Sequence, residues 1–399
     1  MPHPTPERNL DSAELARVWN AQELAGVRPH TPRGPTRRTI RVVDLFCGCG
    51  GLSLGLRRAA DAVGTRAIFA LAVDVSRTAL EIYARNLRPI RTERRNVATL
   101  IEQASAPYDA NAGGAPSVHL DESLDSLRGT VDILLAGPPC EGNSNLNNRT
   151  RRSDPRNDLY LDVILGAISM AIPVIVVENV PSVVSARQNV VGRARSALAA
   201  AGYRMSGDDL FLTASDFGTP QERRRHFLVA ARSAQPPSRD AFESLRVAAP
   251  SAGAAIEHLR DVPRDTTFDT PSRLSDENQR RVEFLVANGH HELPDQERPD
   301  CHRLKPHSYP AIYGRMHSDR PAPTLTTGFL SPGRGRFVHP TEARSLTPHE
   351  GARLQGFGDD FDWLPGVRWL TRADYANMIG AAVPPQLGFA VGMSAVSLL

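Results

Sequence analysis

Short apolar segments alternate with helical segments from residue 41 onward, and this alternation limits the possible folds more than any other feature. The apolar segments cover residues 42–46, 67–73, 131–136, 174–177 and 226–230. Segments with helical patterning lie between them, at residues 52–62, 76–87, 158–171 and 187–201. Such alternation predicts a parallel sheet with helices on both faces, and continuous apolar strands fit burial from both sides. The predicted class is therefore α/β.

The pattern divides the chain into four parts. Residues 1–39 form an extension that ends in a basic linker, for which a solvated tail and a contact to a DNA backbone both remain open. The alternating pattern fills residues 40–231, apart from a predicted surface insertion at 102–129. Residues 232–330 are rich in Pro, Arg, Asp and His and have weak periodicity, which predicts a smaller, irregular domain. Helices predicted near 347–355 and 384–397 indicate that residues 331–399 complete the large domain.

Composition excludes several classes of protein. Hydrophobic residues make up 41% of the 399 residues and charged residues 23%, which fits a globular protein rather than a disordered one. The longest apolar run, at 163–177, is too short to span a membrane and is divided by Pro173. Four cysteines do not make a disulfide scaffold, so we expect reduced thiols, a cytoplasmic location and no membrane. The net charge of +3 and the use of arginine for all basic residues except Lys305 permit DNA binding without requiring it.

A glycine-rich turn follows the first strand, in the segment Asp44-Leu45-Phe46-Cys47-Gly48-Cys49-Gly50-Gly51. Glycines there let the backbone approach a ligand and let the next helix direct its N-terminus toward it. Nucleotide, dinucleotide and S-adenosylmethionine sites all use this feature. Asp74 ends the second strand, where an acid commonly binds ribose hydroxyls, although capping of the next helix is an alternative.

Three further segments place reactive side chains at the same predicted edge of the sheet. Pro138 and Pro139 form a rigid turn before Cys140, which can act as a nucleophile or be a buried structural cysteine. Glu178 follows a buried strand and is suited to a raised pKa, with helix capping as the alternative. Arg223 and Arg225 precede the last apolar strand on one face, unless residues 222–225 are only an exposed charged run.

Together these segments resemble the ordered motifs of the DNA cytosine C5-methyltransferases. The family's glycine, Pro-Cys, Glu-Asn-Val and Gln-x-Arg-x-Arg motifs match residues 44–51, 138–140, 178–180 and 221–225. Its late motif matches 344–357, and its Gly-x-x-Val-Pro matches 380–384. Order and spacing hold from about 41 to 398. The resemblance implies a Rossmann-like methyltransferase sheet with a small irregular target recognition domain at 232–330.

The resemblance also implies an S-adenosylmethionine-dependent enzyme acting on double-stranded DNA, with base flipping and a covalent bond between cysteine and cytosine C6. It assigns catalysis to Cys140, Glu178, Arg223 and Arg225. The cofactor residues that it implies are Phe46, Gly48, Gly50, Gly51, Leu52, Asp74, Asn96, Pro138 and Val383. The DNA-binding residues that it implies are Gln221 and, on the loop after Cys140 that is expected to close over the site, Ser144, Arg149, Arg151 and Arg152. A monomer is expected, with a cognate restriction endonuclease or defence-system proteins as possible partners.

The sequence departs from the family pattern near the cofactor. Asn96 replaces an Asp that commonly binds adenine, Ala381 replaces an Asn, and Glu141-Gly142-Asn143-Ser144 replaces Gln-x-Phe-Ser. His349 and Gly358 stand where Arg and Pro are frequent. These changes bear on cofactor affinity more than on the chemistry.

Two other activities are weighed against DNA methylation. An RNA cytosine methyltransferase would share the chemistry, but an insert of about 90 residues favours duplex DNA. A methyltransferase-like DNA-binding regulator would not need the intact catalytic groups. A metal is not expected, because the cluster His290, His291, Cys301, His302 and His307 lacks the spacing of a zinc site, and contact with DNA is the favoured role of its histidines.

Overall fold

A computed structural model describes residues 38–103, 118–139, 158–303, 311–364 and 366–399. Its strands are β1 Arg38–Leu45, β2 Thr65–Asp74, β3 Thr92–Arg94, β4 Ile101–Gln103, β5 Val118–Leu120, β6 Ile133–Ala136, β7 Val174–Asn179, β8 Arg204–Met205, β9 Leu210–Thr213, β10 Gln221–Glu222, β11 Arg224–Ala231 and β12 Ala322–Pro323. Its α-helices are α1 Gly51–Ala62, α2 Arg77–Leu87, α3 Glu122–Asp125, α4 Leu159–Ser169, α5 Val190–Ala200, α6 Ala252–Ile256, α7 Asp276–Ala287, α8 Asp300–Arg303, α9 Pro348–Leu354, α10 Arg372–Ala381 and α11 Pro385–Ser397.

The central sheet has the strand order β3-β2-β1-β6-β7-β11-β8, and β9 pairs with the remaining part of β11. The first five strands in this order are parallel, but β11 runs antiparallel to β7, β8 and β9. The expectation of a wholly parallel sheet is therefore wrong at this edge. The physical reason is the short connection from Thr213 to Arg224, which contains only a 3-10 turn and the two-residue strand β10, whereas a parallel pair needs a longer crossover.

Helices cover both faces of the sheet, so the predicted α/β architecture is confirmed. Successive residues of β1 belong to different cores, because side chains alternate along a strand. Val42 packs into the core that contains residues of α1, α2 and α11, and Val43 into the core that contains residues of α4 and α5. Burial on both faces explains why the central strands are apolar along their whole length.

The region 232–330 has only a small core of its own. Val282, Leu285 and Leu293 form it with Val338, a residue from beyond the region. Larger side chains of the region, including Phe242 and Phe268, pack into the main core instead. The chain returns to the large domain through β12, which pairs in parallel with β10. The boundary between the predicted domains is therefore a shared packing surface.

One stretch of the described residues, Arg372–Ser397, is long and apolar enough to cross a membrane. It consists of α10 and α11 with a break at residues 382–384, and 72% of its apolar window is buried in the fold. Helix α11 packs mainly on α1, as a core helix does.

Candidate active site

A cavity of about 300 Å³ opens at the carboxyl ends of the parallel strands, where α/β sheets usually bind ligands. Asp44, Asp74 and Glu178, from three different strands, all line it. The wall opposite the strands comes from Asn377 and from residues 381–383, at the end of α10 and beyond. Its volume is at the lower end of the range for small-molecule sites.

The glycine turn forms one wall of the cavity through an unusually close contact. Gly50 has φ +94°, which favours glycine, and a Cβ on Gly51 would lie 2.1 Å from the carbonyl oxygen of Val383. Asp74 fixes this turn: its Oδ2 accepts a hydrogen bond from the Gly48 amide at 2.9 Å and its Oδ1 one from the Ser76 amide at 2.8 Å. The cap of helix α2 is Ser76, so the capping alternative for Asp74 is wrong.

The structure brings most of the predicted cofactor residues to this cavity and leaves two outside its lining. Asn96 instead caps the 3-10 turn Val97–Thr99, because its Oδ1 accepts a hydrogen bond from the Ala98 amide. Pro139 rather than Pro138 lines the cavity. Ala381, the departure noted in the sequence, lies in its wall. The predicted cofactor residues in the lining are Phe46, Gly48, Gly50, Gly51, Leu52, Asp74 and Val383.

Asp44 is a buried carboxylate whose significance the sequence analysis missed. Its Oδ2 accepts a 2.6 Å hydrogen bond from the Ser53 hydroxyl, which in turn accepts one from Tyr83 Oη at 2.9 Å. Burial raises the pKa of Asp44 to about 7, and no cationic side chain in the described part of the chain forms an ion pair with it. An aspartate inside an otherwise apolar strand was the sequence feature that could have revealed this role. A ligand with positive charge, such as S-adenosylmethionine, fits this site chemically.

Glu178 and Arg225, two of the predicted catalytic residues, form a buried ion pair. Arg225 Nε lies 2.8 Å from Glu178 Oε1, and both side chains are largely buried. A Cβ on Gly137 would lie 3.7 Å from Oε2, so the second carboxyl oxygen lies beside the strand end that leads to Pro139. Burial raises the pKa of Glu178, although Arg225 and, less strongly, Arg223 act to lower it. Neither side chain belongs to an exposed charged run.

Asn179 connects Glu178 to the Pro-Cys turn, a role that we did not predict. Its Nδ2 donates to the carbonyl oxygen of Pro138 at 3.2 Å, and its Oδ1 accepts from the Val180 amide. The side chain is buried, so these bonds position the chain that enters Cys140 relative to β7. Its place directly after Glu178 in the motif was the signal.

Arg223 and Gln221 do not have the surroundings that the sequence predicted. The buried guanidinium of Arg223 donates to the carbonyl oxygens of Leu325 and Gly380, at 2.8 and 2.9 Å. The side chain of Gln221 is fully buried and bonds to the main chain of Leu354 and Leu325 and to Gln355. These bonds give both side chains structural partners, and the catalytic contact of Arg223 and the DNA contact of Gln221 stay predictions. Alternation along a strand gives the face of a side chain but not its partner.

Several predicted residues lie outside the part of the chain that the structure describes: Cys140, Ser144, Arg149, Arg151, Arg152 and His307, together with the side chains of Cys301 and His302. Within the described residues, no group of three His, Cys, Asp or Glu side chains is arranged to hold a metal ion. Cys47 and Cys49 are free and buried, and burial raises the pKa of Cys49 to about 12.

The fold and the cavity define the class of α/β enzymes that have a small-molecule cavity at the carboxyl edge of the sheet, here beside a buried glutamate–arginine pair. The family model for C-5 cytosine-specific DNA methylases matches residues 40–397, and the chain belongs to that family. The predicted family and its DNA cytosine-5-methyltransferase activity are thereby confirmed.

Two curated relatives match nearly the whole chain. Type II methyltransferase M1.BsuMI of Bacillus subtilis is 39% identical over 97% of this chain and 87% of its own length. Type II methyltransferase M.DdeI of Desulfomicrobium norvegicum is 26% identical over 88% of this chain and 87% of its own length. Among solved structures, S. pombe Dnmt2 methyltransferase superposes with a TM-score of 0.57 at 18% identity, over 90% of this chain and 99% of its own. That similarity supports the fold alone.

Proposed function

We propose that the protein transfers a methyl group from S-adenosylmethionine to cytosine C5 within a specific sequence of duplex DNA. The observation that carries this proposal is Glu178, which lines the glycine-turn cavity and pairs with the largely buried Arg225. Pro139, the residue before the predicted nucleophile Cys140, lines the same cavity. A nucleophile, an acidic group and a cofactor site are thus expected to meet at one edge of the sheet.

In the proposed mechanism the thiolate of Cys140 adds to cytosine C6, and the electron pair displaced from the C5–C6 bond makes C5 nucleophilic. S-adenosylmethionine supplies the methyl group. Glu178, with its pKa raised by burial, binds the N3 and N4 edge of the base and stabilises the charge that develops there. Arg225 holds Glu178 and is available to the cytosine O2. A base then removes the C5 proton, and loss of the thiolate restores the ring.

The target cytosine must leave the duplex to reach this cavity, so the proposal includes base flipping. Arg149, Arg151 and Arg152, which follow Cys140, are proposed to bind phosphates around the extruded nucleotide. The names of M1.BsuMI and M.DdeI as type II methyltransferases support a role in restriction–modification. We therefore expect a cytoplasmic monomer that protects DNA against a partner endonuclease.

Bisulfite sequencing of DNA from cells that express the chain tests the activity and identifies the methylated sequence at once. We expect 5-methylcytosine at one short sequence, with none in cells expressing Cys140→Ala. Methylated RNA with unmodified DNA would instead favour the RNA enzyme. Absence of methylation from both would favour a regulator.

Trapping with 5-fluorocytosine tests the covalent step. A duplex with this base at the target should give a protein–DNA adduct that survives denaturant, because fluorine cannot leave C5 as a cation. Cys140→Ala should give no adduct while retaining S-adenosylmethionine binding by calorimetry, since the cavity residues are unchanged. Methylation by this variant would overturn the assignment of Cys140.

A further inference from the structure

Five basic side chains form a cluster, four of them in the region 232–330 and one just beyond it. The cluster consists of His291, Arg315, His317, Arg320 and Arg336. The imidazoles of His291 and His317 are stacked, with ring centroids 3.7 Å apart and an angle of 18° between the rings. An Arg320 nitrogen lies 2.7 Å from His317 Nε2. The guanidinium of Arg320 is therefore hydrogen-bonded to one ring of the stacked pair.

The hydrogen bonds set the roles of the ring nitrogens in the two histidines. A guanidinium only donates, so His317 Nε2 must be an acceptor that carries no proton. His291 Nδ1 lies 3.2 Å from the Arg315 carbonyl oxygen and must donate, which leaves its Nε2 to face Arg315 at 3.5 Å. Partial burial, then the neighbouring His291, Arg320 and Arg336, lower the pKa of His317. The neutral ring can thus hold Arg320 at neutral pH.

Arg320 differs from Arg315 and Arg336 because more of its N–H donors and its full positive charge remain available to a ligand. Arg315 donates to the carbonyl oxygens of His290 and Pro340, and Arg336 donates to that of His291 and pairs with Glu292. These bonds join three segments of the chain. Arg320 is exposed, and no carboxylate among the described residues forms an ion pair with it. The cluster presents excess positive charge to solvent and so complements a polyanion.

The fold ties Arg320 to the catalytic centre by a short path. Two residues beyond Arg320, β12 pairs with β10, and β10 lies three residues before Arg225. This path spans no more than roughly 25 Å at the extended rise per residue. Six base pairs of DNA cover about 20 Å. A duplex whose flipped cytosine lies beside Arg225 therefore extends far enough to contact the cluster.

We propose that Arg320, oriented by the stacked His317 and His291, reads a guanine of the recognition sequence. This inference rests on the proposed methylation of duplex DNA. A guanidinium binds guanine O6 and N7 through two parallel hydrogen bonds, and such a contact requires a defined orientation. The neutral imidazole of His317 accepts a hydrogen bond from one N–H of the Arg320 guanidinium and so fixes its orientation. The other N–H groups of the guanidinium stay available to the guanine.

The test measures initial methylation rates on duplexes that carry each single base-pair change in the recognition sequence. Arg320→Ala should slow methylation of the cognate duplex roughly 10- to 100-fold and remove discrimination at one G·C pair only. Arg320→Lys should keep the salt dependence of DNA binding but lose the discrimination at that base pair, because lysine keeps the positive charge and cannot form two parallel hydrogen bonds. His317→Ala should weaken discrimination at the same base pair. Arg280→Ala, an exposed arginine on α7, is the matched control.

Other outcomes would overturn the inference. An equal loss on every duplex with a smaller salt slope would make Arg320 a phosphate contact. An unchanged profile would remove it from the interface. A lower melting temperature of Arg320→Ala with an unchanged sequence preference would make the stack structural. Failure of the wild-type chain to methylate any DNA would instead reject the proposed function, so the two failures are distinguishable.

Discussion

At single residues, the cavity combines three carboxylates with different partners. Arg225 balances the charge of Glu178, and main-chain amides bond to Asp74. Asp44 has only hydroxyl donors among the described residues. Three acids in one cavity repel one another unless each is paired or protonated. Asp44 is therefore the acid that gains most from a cationic ligand.

Asp44→Asn should weaken S-adenosylmethionine binding about tenfold or more at pH 8, because a charge-assisted contact is lost. In the wild type a proton competes with the cation below the Asp44 pKa of about 7, so affinity should rise as pH increases through 7. Calorimetry from pH 6 to 8.5 measures both effects. Glu178 also has a raised pKa but is retained in the variant, so the difference between the two curves isolates Asp44.

A neutral ligand provides the control for Asp44. Methylthioadenosine lacks the ammonium and the sulfonium, so its affinity should be nearly the same for the wild type and Asp44→Asn. Equal weakening of both ligands would mean that Asp44 only maintains the shape of the cavity through Ser53.

Ala381→Asn should tighten S-adenosylmethionine binding roughly 2- to 12-fold by restoring one polar contact in the cavity wall. Calorimetry on the folded variant measures the change. Ala382→Asn, at the next position in the same wall, is the comparison for a nonspecific effect of the amide. Unchanged or weaker binding would show that a neighbouring group already compensates for Ala381.

Among the elements, the buried guanidinium of Arg223 holds two segments that are distant in sequence. Arg223→Gln should lower the free energy of unfolding by about 2–4 kcal/mol, because it deprives two main-chain oxygens of a charged donor. Denaturant titration measures this. The 5-fluorocytosine adduct should still form per folded molecule. Loss of the adduct with unchanged stability would instead support the catalytic role that the sequence predicted.

Helix α9 is linked to its neighbours by His349, whose Nδ1 lies 2.9 Å from Asp269 and whose Nε2 lies 3.2 Å from Asp359. Burial lowers the pKa of His349, but the hydrogen bonds with Asp359 and Asp269 outweigh it and raise the pKa. A raised folded-state pKa gives stability that is present below the unfolded value of 6.5 and is lost as pH rises through the folded value.

His349→Gln keeps one hydrogen-bond donor but cannot titrate. The wild type should therefore exceed it in free energy of unfolding by on the order of 1 kcal/mol at pH 6, and by less at pH 9. Urea titration at the two pH values measures the difference. A difference that grows with pH would show that His349 is neutral in the folded protein.

The sequence predicted the helices and strands better than it predicted which residues their side chains and edges contact. Each central strand and the helices α1, α2, α4, α5, α9 and α11 follow from apolar periodicity, which is a local property. The orientation of β11 and the bonds of Arg223 and Gln221 depend on contacts between residues that are distant in sequence. The cap formed by Asn96 is local, but the family resemblance had assigned that position to the cofactor. Helices α7 and α10 were not predicted, because α7 is mostly polar and α10 has almost no apolar face.

Over the whole molecule, sequence specificity should move with part of the region 232–330 rather than with all of it. Exchange of residues 274–320 with those of a relative should transfer the methylated sequence, because the exchange carries the basic cluster positions His291, Arg315 and Arg320 and leaves Phe242 and Phe268 in the main core. Bisulfite sequencing identifies the new site.

Exchange of the complete region is the comparison. It replaces Phe242, Phe268 and Leu325 in the shared core, so it should lower thermal stability by several degrees. If the recipient of residues 274–320 keeps its own recognition sequence while remaining active, specificity resides elsewhere in the chain.

Helix α11 and Val383 have a consequence for protein synthesis. The last contacts that the glycine turn, residues 46–51, acquires are those with the Val383 carbonyl and with α11, which packs on α1. The ribosome therefore synthesises the glycine turn more than 300 residues before it synthesises Val383, which lines the same cavity. Until then the nascent chain exposes the apolar face of α1 to chaperones, and a chain arrested before Pro384 should neither retain the cofactor nor modify DNA.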